Sequence, residues 1–197
     1  MTDALDPRAR DVLDFWFGAP ASAEHGTTRK QWFAKDAAFD DAVRERYAML
    51  IEGALAGGLL EWDAQPASAL ARILVLDQFP RNAFRDTPRS FEGDPSALAA
   101  AQRMVASGDD GRLSAFERGF AYLPFEHSEA LAMQDEALRL FERLAHDAPA
   151  QAPLLEWALR HHAIVRRFGR FPHRNAILGR ASSAAETEFL AEPGSRF

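Results

Sequence analysis

Residues 152–180 read APLLEWALRHHAIVRRFGRFPHRNAILGR and carry the clearest fold signal of the chain. Apolar side chains recur at helical spacing in the first part of this stretch, which predicts a helix from about Ala152 to Phe168. Gly169 is a typical helix-ending residue, and the dipeptide Phe171-Pro172 then forces a corner. A helix followed by a sharp proline corner is therefore the structural element from which the rest of the chain can be interpreted.

The same corner occurs earlier in the chain. Residues 77–85 read DQFPRNAFR and residues 170–177 read RFPHRNAI, so both have an aromatic residue, a proline and then Arg-Asn-Ala, with His173 inserted in the second copy. In each copy we expect the proline to end the preceding helix and the aromatic ring to anchor the corner in the core. An arginine at the carbonyl end of a helix is favoured by the helix dipole, by about 0.3 to 1 kcal/mol.

Proline, glycine and capping residues divide the remaining sequence into further helices. The predicted spans are Pro7 to Phe17, Asp36 to Ala56, Pro66 to Pro80, Asp94 to Ser107, Leu113 to Tyr122 (ending before Pro124), Ser128 to His146, and a short last helix with a capping box at Ser183 and Glu186. No apolar alternation exceeds four residues, so no strand is predicted. We expect an all-α protein of about seven to nine helices, arranged as antiparallel hairpins in a tetratricopeptide-like right-handed superhelix or a compact bundle.

Composition narrows the class of protein. The chain has 197 residues, 47% of them apolar, which is enough for one helical domain spanning residues 1–197. The absence of cysteine excludes disulfides, thiolate nucleophiles and Cys-ligated metals. The longest aliphatic run, Ile73 to Leu76, is far shorter than a membrane-spanning helix, and the acidic start lacks the apolar core of a signal peptide. We expect a soluble, cytoplasmic protein with no membrane partner, and a pI near 5.5 argues against nucleic-acid binding.

Positive charge is concentrated in residues 160–180, which contain six arginines and three histidines but no carboxylate. Removing these six arginines from the 23 basic residues leaves 17 against 29 acidic residues, in a chain whose net charge is −6. Because unpaired buried charge is costly, this block either meets acidic side chains of the same protein or faces an anionic ligand.

The two corners, together with Pro124 to Glu129 (PFEHSE), resemble the bacterial family catalogued as domain of unknown function 924, which has an all-helical, tetratricopeptide-like fold. The resemblance extends from Val12–Gly18 (VLDFWFG) to the final helix. The family pattern maps onto His161, Ile164, Val165, 167–175 and 178–180, whereas Asp86 and residues 182–186 depart from the expected turn sequences. The resemblance implies a fold and a set of polar positions, without an activity.

Our leading hypothesis is a polar pocket, lined by Arg, His and Glu, where the two corners and residues 126–129 converge. It would bind a small anionic molecule or the acidic end of a peptide, because paired guanidinium groups hold carboxylates and phosphates well. The predicted ligand-binding residues are Asp77, Arg81, Asn82, Glu126, His127, Glu129, His161, Arg167, Arg170, His173, Arg174, Asn175 and Arg180.

A second hypothesis is hydrolytic acid–base catalysis in the same pocket. His161 or His127 would be the base, Glu126 would orient it, and Arg167 or Arg174 would stabilise an oxyanion. A third is a tetratricopeptide-like adaptor that holds a protein partner in a helical groove, with the arginines locked in structural ion pairs.

Structural interpretations remain open for several candidates. Glu126 and Glu129 suit the start of a helix capped by Ser128, Asp77 suits an ion pair with Arg81 one turn away, and His161 suits a core-facing position. No metal or cofactor is expected, because the sequence has no HExxH, His-x3-His pair, calcium-type aspartate run, GxSxG, Walker or GxGxxG motif.

Overall fold

The computed structural model describes residues 5–32 and 34–195, and all regular structure in these ranges is helical. The helices are α1 (Pro7–Phe17), α2 (Ala37–Leu55), α3 (Pro66–Ala83), α4 (Asp94–Ser107), α5 (Ala115–Glu126), α6 (Leu131–Asp147), α7 (Ala152–Phe168) and α8 (Ala184–Leu190), with short 3-10 turns between several of them. The all-α prediction is confirmed, and eight α-helices in the described ranges agree with the expected number. Residues 1–4 lie outside the described ranges. They are part of the N-terminal stretch for which the sequence predicts no signal peptide.

Side-chain caps set several helix starts where the sequence predicted them. The Asp6 carboxylate accepts a hydrogen bond from the Arg8 N–H at 2.8 Å, and Pro7 is the first residue of α1. Asp36 caps α2 by accepting from the Phe39 N–H at 3.1 Å. Ser183 and Glu186 form the predicted capping box of α8. These carboxylates and hydroxyls satisfy backbone donors that a helix start would otherwise leave without acceptors.

Two prolines lie inside helices, where we had expected them to end helices. Helix α3 continues past Pro80 to Ala83, and α5 continues past Pro124 to Glu126. Proline lacks the N–H that would bond the carbonyl four residues earlier, but the following residues can still form the next bonds: the Phe84 N–H donates to Pro80 O at 2.9 Å. A proline in the last turn therefore costs one hydrogen bond and does not stop the helix at once.

Another boundary differs at the start of α6. Ser128 does not cap this helix, because α6 begins at Leu131 and Ala130 occupies the capping position. The Ser128 hydroxyl instead accepts from the Ala130 N–H at 3.2 Å. Ser128 therefore shapes the turn before the helix, and the predicted cap is wrong.

The chain groups into two compact units. Unit 1 comprises residues 1–85 and 89–124, and unit 2 comprises residues 86–88 and 125–197. In unit 1, α3 is the central helix and packs against α1, α2 and α4. Its Phe79 ring lies 4.7 Å from the Tyr47 ring and 5.7 Å from the Trp16 ring, centroid to centroid. Unit 1 is thus built around a nearly fully buried helix and an aromatic core.

Unit 2 is built on α6 and α7, which pack against each other. His162 on α7 lies 2.9 Å from the Asp135 carboxylate on α6, and these residues are at similar sequence distances from the connecting turn, as expected of an antiparallel hairpin. Ile164, Val165 and Phe171 form an apolar cluster in this unit together with the partly buried Phe168 and Phe189. The single-domain organisation and the tetratricopeptide-like superhelix stay predictions.

No helix within residues 5–32 and 34–195 combines the length and the apolar content needed to cross a membrane.

Candidate functional site

The ring of Phe171, which is fully buried, lies at the centre of a group of polar side chains in unit 2. The His161 and His173 ring centroids each lie 5.5 Å from it, and the Arg174 guanidinium lies 4.8 Å from it. Two further residues contact this group: Glu126 lies beside His161, and His127 beside both His161 and Arg174. We call Glu126, His127, His161, His173 and Arg174 the Phe171 cluster.

Local structure explains why these side chains meet. Glu126 is the last residue of α5, and the side-chain N–H groups of the fully buried Gln134 donate to Glu126 O and Ser128 O, both at 2.6 Å. His161 lies on the buried face of α7. Gly169 ends that helix with φ +70°, a conformation that favours glycine, and so turns the chain toward Phe171.

His161 is held by its Nδ1 atom. Nδ1 lies 2.9 Å from Trp157 O and 3.1 Å from Glu126 Oε1. Both neighbours are oxygen acceptors, so the proton belongs on Nδ1 and Nε2 carries the lone pair. Burial lowers the pKa of His161 to about 3, the hydrogen bond to Trp157 O opposes this shift, and the charges of His127, His173 and Arg174 add to it. His161 is therefore a neutral imidazole at pH 7, with a fixed tautomer.

Arg174 brings a permanent positive charge into the cluster. Its residue is 7% exposed, and Nη2 donates to His127 O at 3.0 Å while the guanidinium stacks on Phe171. His127 and His173 are half-buried, so they form the part of the cluster nearest to solvent. The arrangement combines one guanidinium, three imidazoles and one carboxylate within a small volume.

Arg180 fixes the backbone around Phe171. Its guanidinium pairs with the Glu129 carboxylate at 2.7 and 2.9 Å and also donates to Phe171 O at 3.1 Å and to Asn175 Oδ1 at 2.9 Å. Glu129 in turn accepts from the Phe171 N–H at 2.8 Å. Burial raises the pKa of Glu129, but hydrogen bonds from Arg180 and the Phe171 N–H outweigh it, so the pKa lies below its usual range. Three predicted ligand-binding residues, Glu129, Asn175 and Arg180, thus bond to one another or to the corner.

Arg170 connects the corner to α8. Its guanidinium donates to both oxygens of Glu186, at 2.6 and 2.8 Å, and to Ala181 O at 2.9 Å. The hydrogen bond from Arg170 lowers the pKa of Glu186 well below its usual range, and the bond from the Ser183 N–H adds to this effect. Sequence reasoning assigned Glu186 only to the capping box and missed its ion pair, because nothing in the local pattern connects residues 170 and 186.

Arg167 lies apart from the Phe171 cluster on the exposed side of α7. Its guanidinium stacks over the rings of Phe168, at 4.6 Å, and Phe189, at 5.8 Å. This geometry gives Arg167 a packing role against α8, whereas His161 occupies the buried side of the same helix.

The predicted residues of the first corner have carboxylate partners within unit 1. Arg81 Nη1 lies 3.1 Å from Asp77 and 2.8 Å from Asp94. Asn82 donates to the buried Asp40 at 2.8 Å, and Arg85 pairs with the same carboxylate. Sequence reasoning anticipated the Asp77–Arg81 pair but not Asp40 or Asp94, which come from neighbouring helices. The expected pocket shared by both corners stays a prediction.

Within the described ranges, no group of three or more His, Asp or Glu side chains is arranged to hold a metal ion.

Comparison with known proteins adds a family and a structural relative. Residues 12–194 match the family described as bacterial protein of unknown function (DUF924). A solved structure of a protein of unknown function, ATU0120 from Agrobacterium tumefaciens, is similar to this chain, with 38% sequence identity and a TM-score of 0.82. The match covers 93% of this chain and 97% of that one. No curated protein matches the sequence.

Proposed function

The chain belongs to the bacterial family of unknown function DUF924, and we propose that this protein binds a small anionic ligand, or the carboxylate end of a peptide, at the Phe171 cluster. The observation that carries the proposal is the buried guanidinium of Arg174, which lies with His161 and His173 around the ring of Phe171 and donates to His127 O. An anion placed there would interact with positive charge in a region of weak solvent screening. A carboxylate or phosphate would therefore bind more strongly than at an exposed arginine.

Burial also limits the size of the ligand. Glu126 is 3% exposed and His161 is 7% exposed, so a ligand would approach through the half-buried imidazoles of His127 and His173. We therefore expect a small molecule or a chain terminus to reach the cluster more readily than an extended peptide.

The proposal does not use every residue predicted from the sequence. Glu129, Arg170, Asn175 and Arg180 use their polar groups to hold the corner, so we assign them a positioning role. Arg167 packs on α8. Asp77, Arg81 and Asn82 of the first corner are not part of the proposed site.

The experiment is a thermal-shift titration with inorganic phosphate at constant ionic strength. A ligand that binds only the folded state at ten times its Kd stabilises that state by about 1.4 kcal/mol, which gives a measurable rise in Tm. We expect this rise for the native chain and for Arg166→Met, whose arginine is exposed in the same block. We expect no rise for Arg174→Met.

A shift that survives Arg174→Met undiminished would contradict the proposed site. If Arg174→Met unfolds, Arg174→Lys serves instead, because it keeps the charge but loses the bidentate geometry. That variant should bind phosphate more weakly than the native chain while remaining folded.

A second candidate function is hydrolysis by acid–base catalysis, which the Glu126–His161 contact favours. Glu126 and Trp157 O orient the Nδ1–H, so Nε2 could take a proton from a water molecule whose oxygen attacks a carbonyl or phosphoryl centre, and Arg174 could stabilise the negative charge that develops. Because the pKa of His161 is low, the rate should stay constant from neutral pH well into the acid range. Measuring p-nitrophenyl acetate and p-nitrophenyl phosphate hydrolysis by the native chain and His161→Gln tests this candidate. Equal rates for both proteins would exclude His161 as the base.

The adaptor hypothesis stays a prediction.

A further inference from the structure

Helix α7 has a solvent-facing side that carries both apolar and positively charged side chains. Leu159, Ala163 and Arg167 follow one another at four-residue spacing, and Arg166 lies three residues after Ala163. Side chains three or four residues apart are neighbours on a helix surface. All four residues are exposed, and with the exposed Arg160 they form a face about 12 Å long. We call these five residues the outer α7 face.

The arginines of the outer α7 face have no carboxylate partners in the part of the chain that the structure describes. Arg160 and Arg167 contact aromatic rings, and the Arg166 side chain forms neither a hydrogen bond nor an ion pair there. Other exposed arginines differ, because Arg112 and Arg139 each pair with a carboxylate three residues earlier. The outer α7 face therefore carries positive charge that the described residues do not compensate, in a chain whose net charge is −6.

The apolar part of this face lies between the guanidinium groups. Leu159, which is 49% exposed, and Ala163 form a short strip, and helical spacing places Arg166 on one side of it and Arg160 on the other. Trp157 is 42% exposed and borders the Arg160 side, where the guanidinium stacks on its ring at 4.9 Å. The small side chain of Ala163 leaves room for a ridge of side chains from another helix.

We infer that the outer α7 face binds an acidic amphipathic helix of another protein. The apolar side chains of such a helix would cover Leu159 and Ala163, and carboxylates beside them would pair with the arginines on both sides of the strip. The inference goes beyond the proposed function, because His161 of the Phe171 cluster occupies the buried side of α7 and the outer α7 face occupies the exposed side.

Two other occupants suit this face less well. A second copy that presented the same face would place arginine against arginine, and like charges across an interface repel. Anionic lipid surfaces are recognised by clusters of about four to eight Lys or Arg residues. The outer α7 face has three arginines, and the exposed Glu156 lies one helical turn before Arg160. Charge complementarity therefore favours an acidic protein helix.

Fluorescence anisotropy with two labelled helical peptides tests the inference. One peptide carries leucines along one side with glutamates beside them, and the other has lysine in place of each glutamate. An exposed ion pair contributes up to about fivefold in affinity, and the lysine peptide replaces this attraction by repulsion. The native chain should therefore bind the glutamate peptide at least about tenfold more tightly, and the difference should fall as salt is added. Equal affinities for the two peptides would overturn the inference.

The double variant Arg160→Glu/Arg166→Glu reverses the charge of the face and should invert the peptide preference. Arg10→Glu/Arg112→Glu is the matched control, because it changes the net charge equally at exposed arginines of unit 1 and should keep the native preference. Leu159→Gln keeps a good helix former but removes the apolar contact, so the glutamate peptide should bind about tenfold more weakly. Should the double variant fail to fold, Leu159→Gln and the two peptides decide.

Three results would contradict the acidic helix as the occupant. A preference that survives the double variant, or that the control removes equally, would place peptide binding elsewhere on the chain. Binding to phosphatidylserine vesicles without binding to the glutamate peptide would identify a lipid surface. Sedimentation velocity that shows a dimer which Leu159→Gln dissociates would identify a second copy. None of these results concerns phosphate binding at the Phe171 cluster, so the two proposals fail separately.

Discussion

The burial of His161 makes stability depend on pH, which gives a prediction at the residue scale. The pKa of His161 lies at about 3 in the folded protein, below the 6.5 of an ordinary histidine, because the ring is buried. As the pH falls below 6.5, the unfolded chain takes up a proton that the folded chain does not. The contribution of the neutral His161 to the free energy of unfolding is therefore complete above pH 6.5. It is lost progressively down to about pH 3, at up to about 1.4 kcal/mol per pH unit.

The measurement is urea unfolding of the native chain and His161→Gln at pH 7 and pH 5. The native chain should lose about 2 kcal/mol more than the variant between these values, because glutamine does not titrate. His146→Gln is the control, since His146 has a side chain that is 89% exposed and should leave the pH dependence unchanged. If Glu126 instead kept His161 ionised in the folded protein, the pH dependence of stability would have the opposite sign, and stability would be lost as the pH rises. That result would rule out the neutral tautomer.

Glu129 gives a second prediction at this scale. Glu129→Gln removes the ion pair with Arg180 and weakens the acceptor of the Phe171 N–H. Leaving buried donors without a full partner costs about 1 to 3 kcal/mol, whereas Glu136→Gln, which breaks an exposed pair, should cost less than about 1 kcal/mol. Urea unfolding at pH 7 measures both variants.

The difference in free energy of unfolding between the native chain and Glu129→Gln should become smaller at acid pH. Because the pKa of Glu129 lies below its usual value in the fold, its contribution is present above about pH 4.5 and is lost as the pH falls through the lower value. A difference that stays constant from pH 7 to pH 3 would mean that the ion pair contributes nothing.

The residues of the Phe171 cluster are candidates on sequence grounds, and their role as a site stays a prediction. His161, His173 and Arg174 lie in the stretch around the second corner, and Glu126 and His127 lie in the PFEHSE segment. The carboxylates that pair with the remaining arginines lie on other helices: Glu186 for Arg170 and Asp94 for Arg81. Such pairs depend on how helices pack, and no local periodicity encodes that packing.

At the scale of the element, the close approach of α4 to α3 gives the sharpest prediction. A Cβ atom on Gly93, the residue before α4, would lie 2.0 Å from Leu76 O and 2.9 Å from the Leu76 carbonyl carbon. Leu76 O is the carbonyl that Pro80 cannot bond, so the proline and the glycine together allow this approach. Gly93→Ala must displace the backbone and should destabilise unit 1 by about 1 to 3 kcal/mol or more.

Gly53→Ala is the matched control for Gly93→Ala. Gly53 lies within α2, and its added Cβ would meet nothing within 4 Å. Alanine is the better helix former, so this change should stabilise the protein by about 0.5 to 1 kcal/mol. Thermal unfolding of both variants should give Tm shifts of opposite sign, and a neutral Gly93→Ala would show that α4 does not pack on α3 this closely.

Helix starts that depend on a capping side chain could be predicted from the sequence. Asp6, Asp36 and Ser183 cap helices through their own side chains, so a short sequence pattern contains the whole interaction. Pro80 and Pro124 were misread as helix ends because a proline removes one hydrogen bond, and neighbouring structure decides whether the helix continues. The start of α6 was misplaced because Ser128 bonds within the preceding turn.

At the scale of the whole molecule, the basic block divides into three kinds of arginine. Arg170 and Arg180 are neutralised by Glu186 and Glu129. Arg174 is buried in the Phe171 cluster, and Arg160, Arg166 and Arg167 are exposed on α7. The sequence predicts the block as a whole, but this division depends on the tertiary structure. It also explains how a block of six arginines contributes to the fold of unit 2 while only one of them enters the proposed site.

The distribution of tryptophans allows a test of the single-domain prediction. Trp16, Trp32 and Trp62 belong to unit 1, and Trp157 belongs to unit 2. Fluorescence therefore reports mainly on unit 1, whereas far-UV circular dichroism reports on the helices of both. A single domain should unfold in one cooperative step, so the two signals should give the same urea midpoint. Trp157→Phe should leave the free energy of unfolding unchanged to within about 0.5 kcal/mol, because Trp157 is 42% exposed. Two separated midpoints, with the circular dichroism change extending beyond the fluorescence change, would show that the units unfold independently and that the chain is not one cooperative domain.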